Sequence, residues 1–319
     1  MAQYAARRLL LIIPTMVLLT AIVFLLMRVL PGDITEWMLS GFEGGLSKNE
    51  QGLATLRANL GLDKPLYMQY LTWLWDMARG DFGESVYSGR SVSGEIWQRF
   101  HITLELALLA KILSLVVGIP VGIISAVKQN SWIDLLLRFW SIVFLATPAF
   151  WLALLVILGG LFWFNWIPPM GYDPIWKDPM ANILQLLWPA LILASHALAV
   201  MARMTRSTML EVMREDYIRT ARAKGLREQV VIIRHAMKNA MIPVVTMAGL
   251  SFANLMAGTV ILEAIFGIPG MGQLFIISIN NRDYAVVQGV VVVFALMFAL
   301  TNLIVDLLYG WLDPRISYA

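Results

Sequence analysis

The sequence predicts an all-α, polytopic membrane protein with six transmembrane helices, and three observations carry that expectation. Apolar residues make up 59% of the 319 and charged residues only 14%, against about 45–50% and about 25% in soluble domains. The mean hydropathy is +0.71. The apolar residues are also gathered into runs long enough to cross a bilayer, which takes about 20 residues per helix. This composition excludes an ordinary soluble enzyme and makes the lipid bilayer the first partner. A formal charge of +3 is too small to point to nucleic acid. With no cysteine in the chain, disulfides, thiolate metal sites and cysteine nucleophiles are excluded. His101, His196 and His235 lie too far apart in sequence for a local metal motif, so no metal site is expected.

Taken in order, the spans are expected at about Leu9 to Leu30, Ile102 to Val127, Leu135 to Trp163, Ile183 to Met201, Met241 to Ile265 and Ala285 to Leu308. Arg7 and Arg8 precede the first run, as in a signal peptide. That run is longer than a usual signal core and no small-x-small site follows before Pro31-Gly32-Asp33, so it reads as a retained span. Pro120 and Pro148 fall inside spans, with Gly118 and Gly159-Gly160 nearby, a composition that suits either a hinge or ordinary membrane-helix packing. Trp163, Trp166, Tyr172 and Trp176 read as an interfacial aromatic belt.

Sidedness follows from the connections. Arg203 to Lys238 contains nine basic residues and four acids, whereas Pro31 to Phe100 contains six basic residues and nine acids. Basic residues near span ends stay on the cytoplasmic side, so the first segment is expected inside, the second outside and both termini cytoplasmic. Three regions result: residues 1–30, the N-terminus and first span; 31–101, an external loop with short helices; and 102–319, a five-span core carrying the basic cytoplasmic loop at about 203–240. In the outer loop, Asn59-Leu60-Gly61 reads as a helix end. Pro65 would open a helix with Leu66, Tyr70, Trp73 and Met77 on one face, and Gly80-Asp81-Phe82-Gly83 would break it. A loop of that size and sidedness suits either packing on the outer membrane surface or, the preferred reading, docking of an external partner.

The cytoplasmic segment is the most informative stretch. Thr220, Ala221 and Ala223 are small enough for close backbone approach, and Gly225 would end one helix and turn the chain. Beyond it, Leu226, Val230, Ile233 and Met237 recur at helical spacing, with Arg227, Arg234 and Lys238 on another side. That pattern predicts a short amphipathic helix beside the membrane, ending near Ile242-Pro243. Helix, small-residue patch, glycine turn and second helix, set between two spans, form an arrangement suited to docking a cytoplasmic protein.

This segment resembles the EAA loop of binding-protein-dependent ABC importer permeases, and Tyr217-Ile218-Arg219-Thr220-Ala221-Arg222-Ala223-Lys224-Gly225-Leu226 is similar to the form in the peptide and nickel branch. Arg219, Thr220 and Ala221 occupy the Glu-Ala-Ala positions of the generic motif, so its letters match only in Ala221 and Gly225. The longer distance from Gly225 to Pro243 fits the peptide and nickel branch rather than the sugar importers. Leu11-Ile12-Ile13-Pro14, Pro31-Gly32-Asp33, Leu60-Gly61-Leu62-Asp63-Lys64-Pro65, Gly80-Asp81-Phe82-Gly83, Glu263-Ala264-Ile265-Phe266, Pro269-Gly270-Met271-Gly272, Asn281-Arg282-Asp283-Tyr284 and Asp313-Pro314-Arg315 resemble further family signatures, in order along nearly the whole chain.

The resemblance implies the type I ABC importer permease fold, in the B-type subunit of a dipeptide or oligopeptide importer working by alternating access. It also implies a second homologous permease subunit, two cytoplasmic ATPase subunits and an external solute-binding protein. The ATPase-coupling residues it marks are Arg219, Thr220, Ala221, Arg222, Ala223, Lys224 and Gly225: the small ones for packing in an ATPase groove, the basic ones for electrostatic fit and Gly225 for the turn.

No phosphate-binding G-x-x-x-x-G-K-[ST] loop, H-E-x-x-H or G-x-S-x-G occurs, so no catalytic residue and no cofactor is expected in this chain, with ATP and magnesium left to partner subunits. Ionisable groups inside spans are costly in lipid. Glu105, Lys111 and His196 are the substrate-path candidates, although Glu105 and Lys111, six positions apart, do not share a helix face and His196 alone also reads as a packed histidine. Glu263 and Asp306 read as interfacial, with Asn302 and Asp306 spaced for one polar stripe. An ATP-independent secondary transporter is the alternative, yet the internal repeats and interrupted polar helices of such folds are not apparent. A channel or scaffold would leave the helix, glycine, helix segment unexplained.

Overall fold

The computed structural model describes residues 2–29 and 63–312. Among them the helices are α1 Ala2–Val29, α2 Leu66–Ala78, α3 Val92–Val127, α4 Trp132–Ala146, α5 Ala149–Phe164, α6 Pro179–Val212, α7 Asp216–Ala223, α8 Glu228–Phe266, α9 Met271–Asn280 and α10 Tyr284–Leu312. The only β pairing among the described residues is an isolated bridge between Glu84 and Ser91. Helices α1, α3, α6, α8 and α10 are each long and apolar enough to cross a membrane, and α4 with α5 makes a sixth crossing if that bent pair is one span.

The third expected span is thus two helices meeting at 105°. Pro148 has no N–H to continue the ladder, and the residue before a proline is pushed out of helical geometry, as Thr147 is at ψ 123°. The Thr147 N–H and hydroxyl both donate to the Val143 carbonyl, at 3.0 and 2.7 Å, closing α4 before the break. Pro120, by contrast, lies inside unbroken α3. Helices also outrun their apolar runs: α3 starts ten positions ahead of Ile102, α6 continues past Met201 to Val212, and α8 begins at Glu228 rather than Met241. No separate amphipathic helix ends near Pro243; that proline lies within α8.

The described residues divide into two compact units, one of 2–5, 101–273 and 297–312, the other of 6–29, 63–100 and 274–296. In the smaller unit, α2 follows Pro65 as expected and lies on α1. The Tyr70 hydroxyl donates to the Val17 carbonyl at 2.9 Å, lies 3.0 Å from the Thr20 hydroxyl and packs its ring edge-on to Phe24. The turn after α2 uses Gly80 and Gly83, both at positive φ. Beyond it the Ser85 hydroxyl donates to the buried Asp283 carboxylate at 2.5 Å. The helix end expected at Asn59-Leu60-Gly61 lies outside the described residues.

The larger unit is built on α6. Leu186, Ala190, Leu193 and Ala197 present one stripe at helical spacing to Ile102, Leu106 and Ala110 of α3, Ala153 of α5, and Leu255, Leu262 and Phe266 of α8. One turn further, Gly118 and Gly122 let α3 meet the α6 backbone. A Cβ at Gly122 would lie 2.5 Å from both the Ala202 carbonyl and the Thr205 Cβ, the small-xxx-small approach on which membrane helices rely for dispersion contact.

One expectation about polar residues changes here. Glu263 is fully buried rather than interfacial. Its Oε2 accepts from the Gly272 and Gln273 N–H groups at 2.7 and 3.2 Å, while the Thr103 hydroxyl accepts from Met271 N–H at 2.8 Å, so the first turn of α9 is satisfied by side chains of α8 and α3. The side chain of Asp306 lies outside the described residues.

Candidate functional site

Two spans, α6 and α8, extend beyond their apolar sections on the same end of the larger unit, and α7 bridges them. Only eight residues long, α7 has too few hydrogen bonds to persist alone and is held by packing. Ile218 and Ala221, three apart, are buried against Met209 of α6 and Val231, Ala236 and Ala240 of α8. Its C-terminus closes in a Schellman turn. Gly225, at φ +78°, donates to the Arg222 carbonyl at 2.9 Å and Leu226 donates to the Ala221 carbonyl at 3.4 Å. The glycine expected to turn the chain is therefore the residue that does so.

Side-chain ties span that turn. Arg222 makes a bidentate pair with Glu228, Nε to Oε2 at 3.1 Å and Nη2 to Oε1 at 2.6 Å, and this hydrogen-bonded carboxylate raises the Arg222 pKa further. The Asn239 amide donates to the Tyr217 hydroxyl at 2.9 Å, and Arg219 pairs with Asp216 at 3.3 Å. Of the seven sequence-marked residues, Arg219, Thr220, Ala223, Lys224 and Gly225 form an exposed ridge. Ala221 is a correction to the expected role: its methyl faces the chain's own core, 7% exposed, so it anchors α7 instead of filling a groove on another protein. Arg222 is exposed but already committed to Glu228.

The apolar stripe expected after the turn is not the side that the chain buries against itself. Leu226, Val230 and Ile233 are exposed, and the buried side is Val231, Ala236, Ala240, Val244 and Ala248. The first interval is five residues and the rest are four, because Val231–Ala236 is π-helical. Its i→i+5 bonds widen the turn and shift the face that follows.

A polar node missed in the sequence lies at the same end. Asp134 of α4 is fully buried. Its Oδ1 accepts from Arg206 Nε at 2.9 Å and the Ser125 hydroxyl at 2.5 Å, and its Oδ2 from Arg206 Nη2 at 2.9 Å and the Asn130 N–H at 3.1 Å. Helices α3, α4 and α6 thus share one carboxylate. The available signal was a lone acid opening an apolar helix four residues before Arg138, which approaches it to 3.5 Å.

The substrate-path candidates are not brought together. Glu105, half-buried, accepts from the Tyr172 hydroxyl at 2.6 Å, and His101 packs its ring against Tyr172 and Trp176. Burial and the Glu105 carboxylate push the Tyr172 phenol above its ordinary value. Lys111, 9% exposed, reaches the Ser251 hydroxyl of α8 at 2.5 Å. His196 is exposed on α6 rather than packed.

Long apolar helices, a span broken at Thr147-Pro148 and a helical bridge at one end define a polytopic α-helical membrane protein. Family models agree. The binding-protein-dependent transport system inner membrane component matches residues 118–318, and the N-terminal region of such membrane components matches 1–107. The chain belongs to this family and is a multi-pass inner-membrane protein. Curated relatives include the dipeptide transport system permease protein DppB of Escherichia coli strain K12, 41% identical over 100% of this chain and 99% of its own. Another is the glutathione transport system permease protein GsiC of Salmonella paratyphi A, 40% identical over 100% of both. Among solved structures, an inward-facing MetNI methionine ABC transporter covers 68% of this chain and 96% of its own, at TM-score 0.56 and 18% identity. That likeness shows the ABC importer permease fold.

Proposed function

We propose that this chain is one permease subunit of an ATP-driven importer for peptides, dipeptides or oligopeptides first, with relatives named for dipeptide and glutathione transport supporting that substrate class. A second homologous permease completes the pathway, two cytoplasmic ATPase subunits bind ATP and magnesium, and an external solute-binding protein delivers the peptide. The basic segment from Arg203 to Lys238 faces the cytoplasm, as do both termini.

The observation that carries the reading is the mounting of α7. Its outer ridge of Arg219, Thr220, Ala223 and Lys224 is free for an ATPase, while its inner side is fixed to α6 and α8 through Ile218, Ala221 and the Arg222–Glu228 pair. Force on the ridge moves both spans as one body, which is the mechanical requirement for alternating access driven by a separate motor. Glu105 and Lys111, with His196, are the polar groups that peptide ends would meet along the path.

Expression with the neighbouring subunits and mild-detergent purification tests this. The expected result is a complex hydrolysing ATP, broken when Ala223 and Gly225 are replaced by bulky residues. A chain transporting peptide alone and without ATP would overturn it.

A further inference from the structure

Between α3, α4 and α6 lies a cavity of about 730 Å³ that the coupling reading does not use. Three helix faces build it. Helix α3 gives Val121 and Ser125, α4 gives Leu137, Arg138, Ser141 and Ile142, and α6 gives Arg203, Ser207 and Leu210 at helical spacing, with Arg214 in the turn that follows. From Ala202 to Val212 the α6 wall runs about 15 Å at about 1.5 Å per residue, and Arg214 and Glu215 carry the lining into the turn that leads to α7.

Charge in this cavity is unevenly spent. It is lined by Arg138, Arg203, Arg206 and Arg214 against Glu211 and Glu215. Arg206 directs both its bonds to Asp134. Arg203 and Arg214 make no ion pair among the described residues. Arg138 approaches the same carboxylate, so four guanidinium groups face three carboxylates, Asp134, Glu211 and Glu215, an excess of one positive charge. Guanidinium forks match phosphate oxygens in pairs, and the Ser125, Ser141 and Ser207 hydroxyls stand on the same walls.

The rest of the lining, with Val121, Leu137, Ile142 and Leu210, is apolar. A free anion gains nothing from such a wall, whereas a molecule with a charged head and hydrocarbon chains uses both parts. Trp140, exposed on α4, is a residue type that settles at the headgroup level of a bilayer. Basic pockets between transmembrane helices on the cytoplasmic side have this lipid chemistry.

We propose that this cavity is a binding site for an anionic phospholipid carrying a single phosphodiester charge, with Arg203, Arg214 and Arg138 around the phosphate and the acyl chains along Val121 and Ile142. The lipid would lie against the Asp134–Arg206 node and the entry to α7, at the joint between spans and coupling ridge. The site depends on membrane insertion of this chain, and not on the identity of the transported solute.

The test uses the intact importer complex, purified after equilibration with phosphatidylglycerol and phosphatidylcholine mixed in equal amounts, with retained lipid extracted and counted by mass spectrometry. Wild type is expected to retain phosphatidylglycerol preferentially, and Arg203→Gln with Arg214→Gln to weaken that preference about tenfold, the loss for charged hydrogen bonds worth about 1.4 kcal/mol. Arg90→Gln, in the outer loop, should leave it unchanged. If the double variant does not assemble, Arg203→Lys with Arg214→Lys keeps the charge but loses the fork, and an intermediate weakening is expected. Equal retention of the two lipids by wild type, or no change in either double variant, would overturn the proposal. Displacement of the lipid by millimolar inorganic phosphate would also overturn it, identifying a free-anion site instead. Lipid counting does not depend on uptake, so these outcomes are separable from failure of the transport reading.

Discussion

Arg222 and Glu228 form a two-bonded ion pair across the Gly225 turn, joining the end of one helix to the start of the next. Both side chains are solvent-accessible, so the pair adds less than about 1 kcal/mol to stability. Its value is geometric. Glu228→Gln is expected to leave melting temperature and membrane insertion near wild type while lowering uptake per ATP hydrolysed. Exchanging the two charges in the double variant Arg222→Glu with Glu228→Arg should recover part of the lost coupling. Uptake and ATPase rates measured on the same proteoliposomes check both.

Gly225→Val forces a β-branched residue into left-handed geometry, a cost of about 1–2 kcal/mol. The local turn should give way before the spans do, because a Cβ at Gly225 meets nothing within 4 Å and the strain is purely in the backbone. The expected outcome is normal insertion with transport uncoupled from ATP hydrolysis. Normal uptake by this variant would count against the coupling role of the segment.

Asp134→Asn should be the most damaging of these changes to stability. It removes the charge that holds Arg206 and leaves a mostly buried guanidinium unpaired, an imbalance worth about 3 kcal/mol. Thermal unfolding in detergent should show a clear drop, and Ser125→Ala, which removes one neutral donor to the same carboxylate, a smaller one near about 1 kcal/mol.

Tyr172 supplies the pH prediction. Its phenol is raised in the folded chain by burial and by donation to Glu105. A group whose folded pKa lies above its unfolded value stabilises fully below the unfolded pKa, here about 10, and loses that contribution as pH rises beyond it. Stability followed from pH 9 upward should therefore fall more steeply in wild type than in Tyr172→Phe. Parallel curves would remove the Tyr172–Glu105 bond from the account.

The spans were legible because membrane helices announce themselves by length and apolarity, and Pro65 and the Gly80 to Gly83 turn because proline and glycine act locally. The break at Thr147-Pro148 was visible as a residue but not as a bend, since membrane helices also absorb prolines, as α3 does Pro120 and α8 Pro243. Helical periodicity marks Leu226, Val230 and Ile233 as one apolar stripe but does not pick out the side the chain buries, Val231 and Ala236, whose five-residue interval departs from 3.6 residues per turn. Ala221 and Glu263 share another reason for error. Each is oriented by residues distant in sequence, Ala221 by α6 and α8, Glu263 by the backbone of α9, and no local pattern encodes those neighbours.

The π-helical stretch Val231–Ala236 works as a phase adjuster in a rotating shaft. Below it, α8 is keyed to the coupling ridge; above it, the same helix is keyed to α6 deep in the bilayer, and one extra residue in the intervening turn sets the angle between the two keys. Deleting a single residue there would preserve apolar content and nearly all of the length, yet rotate one end against the other by about 100°. The α7 ridge would then be turned away from the α6 side on which it packs, so the tolerance of this short segment to insertion and deletion is expected to be far lower than its tolerance to substitution.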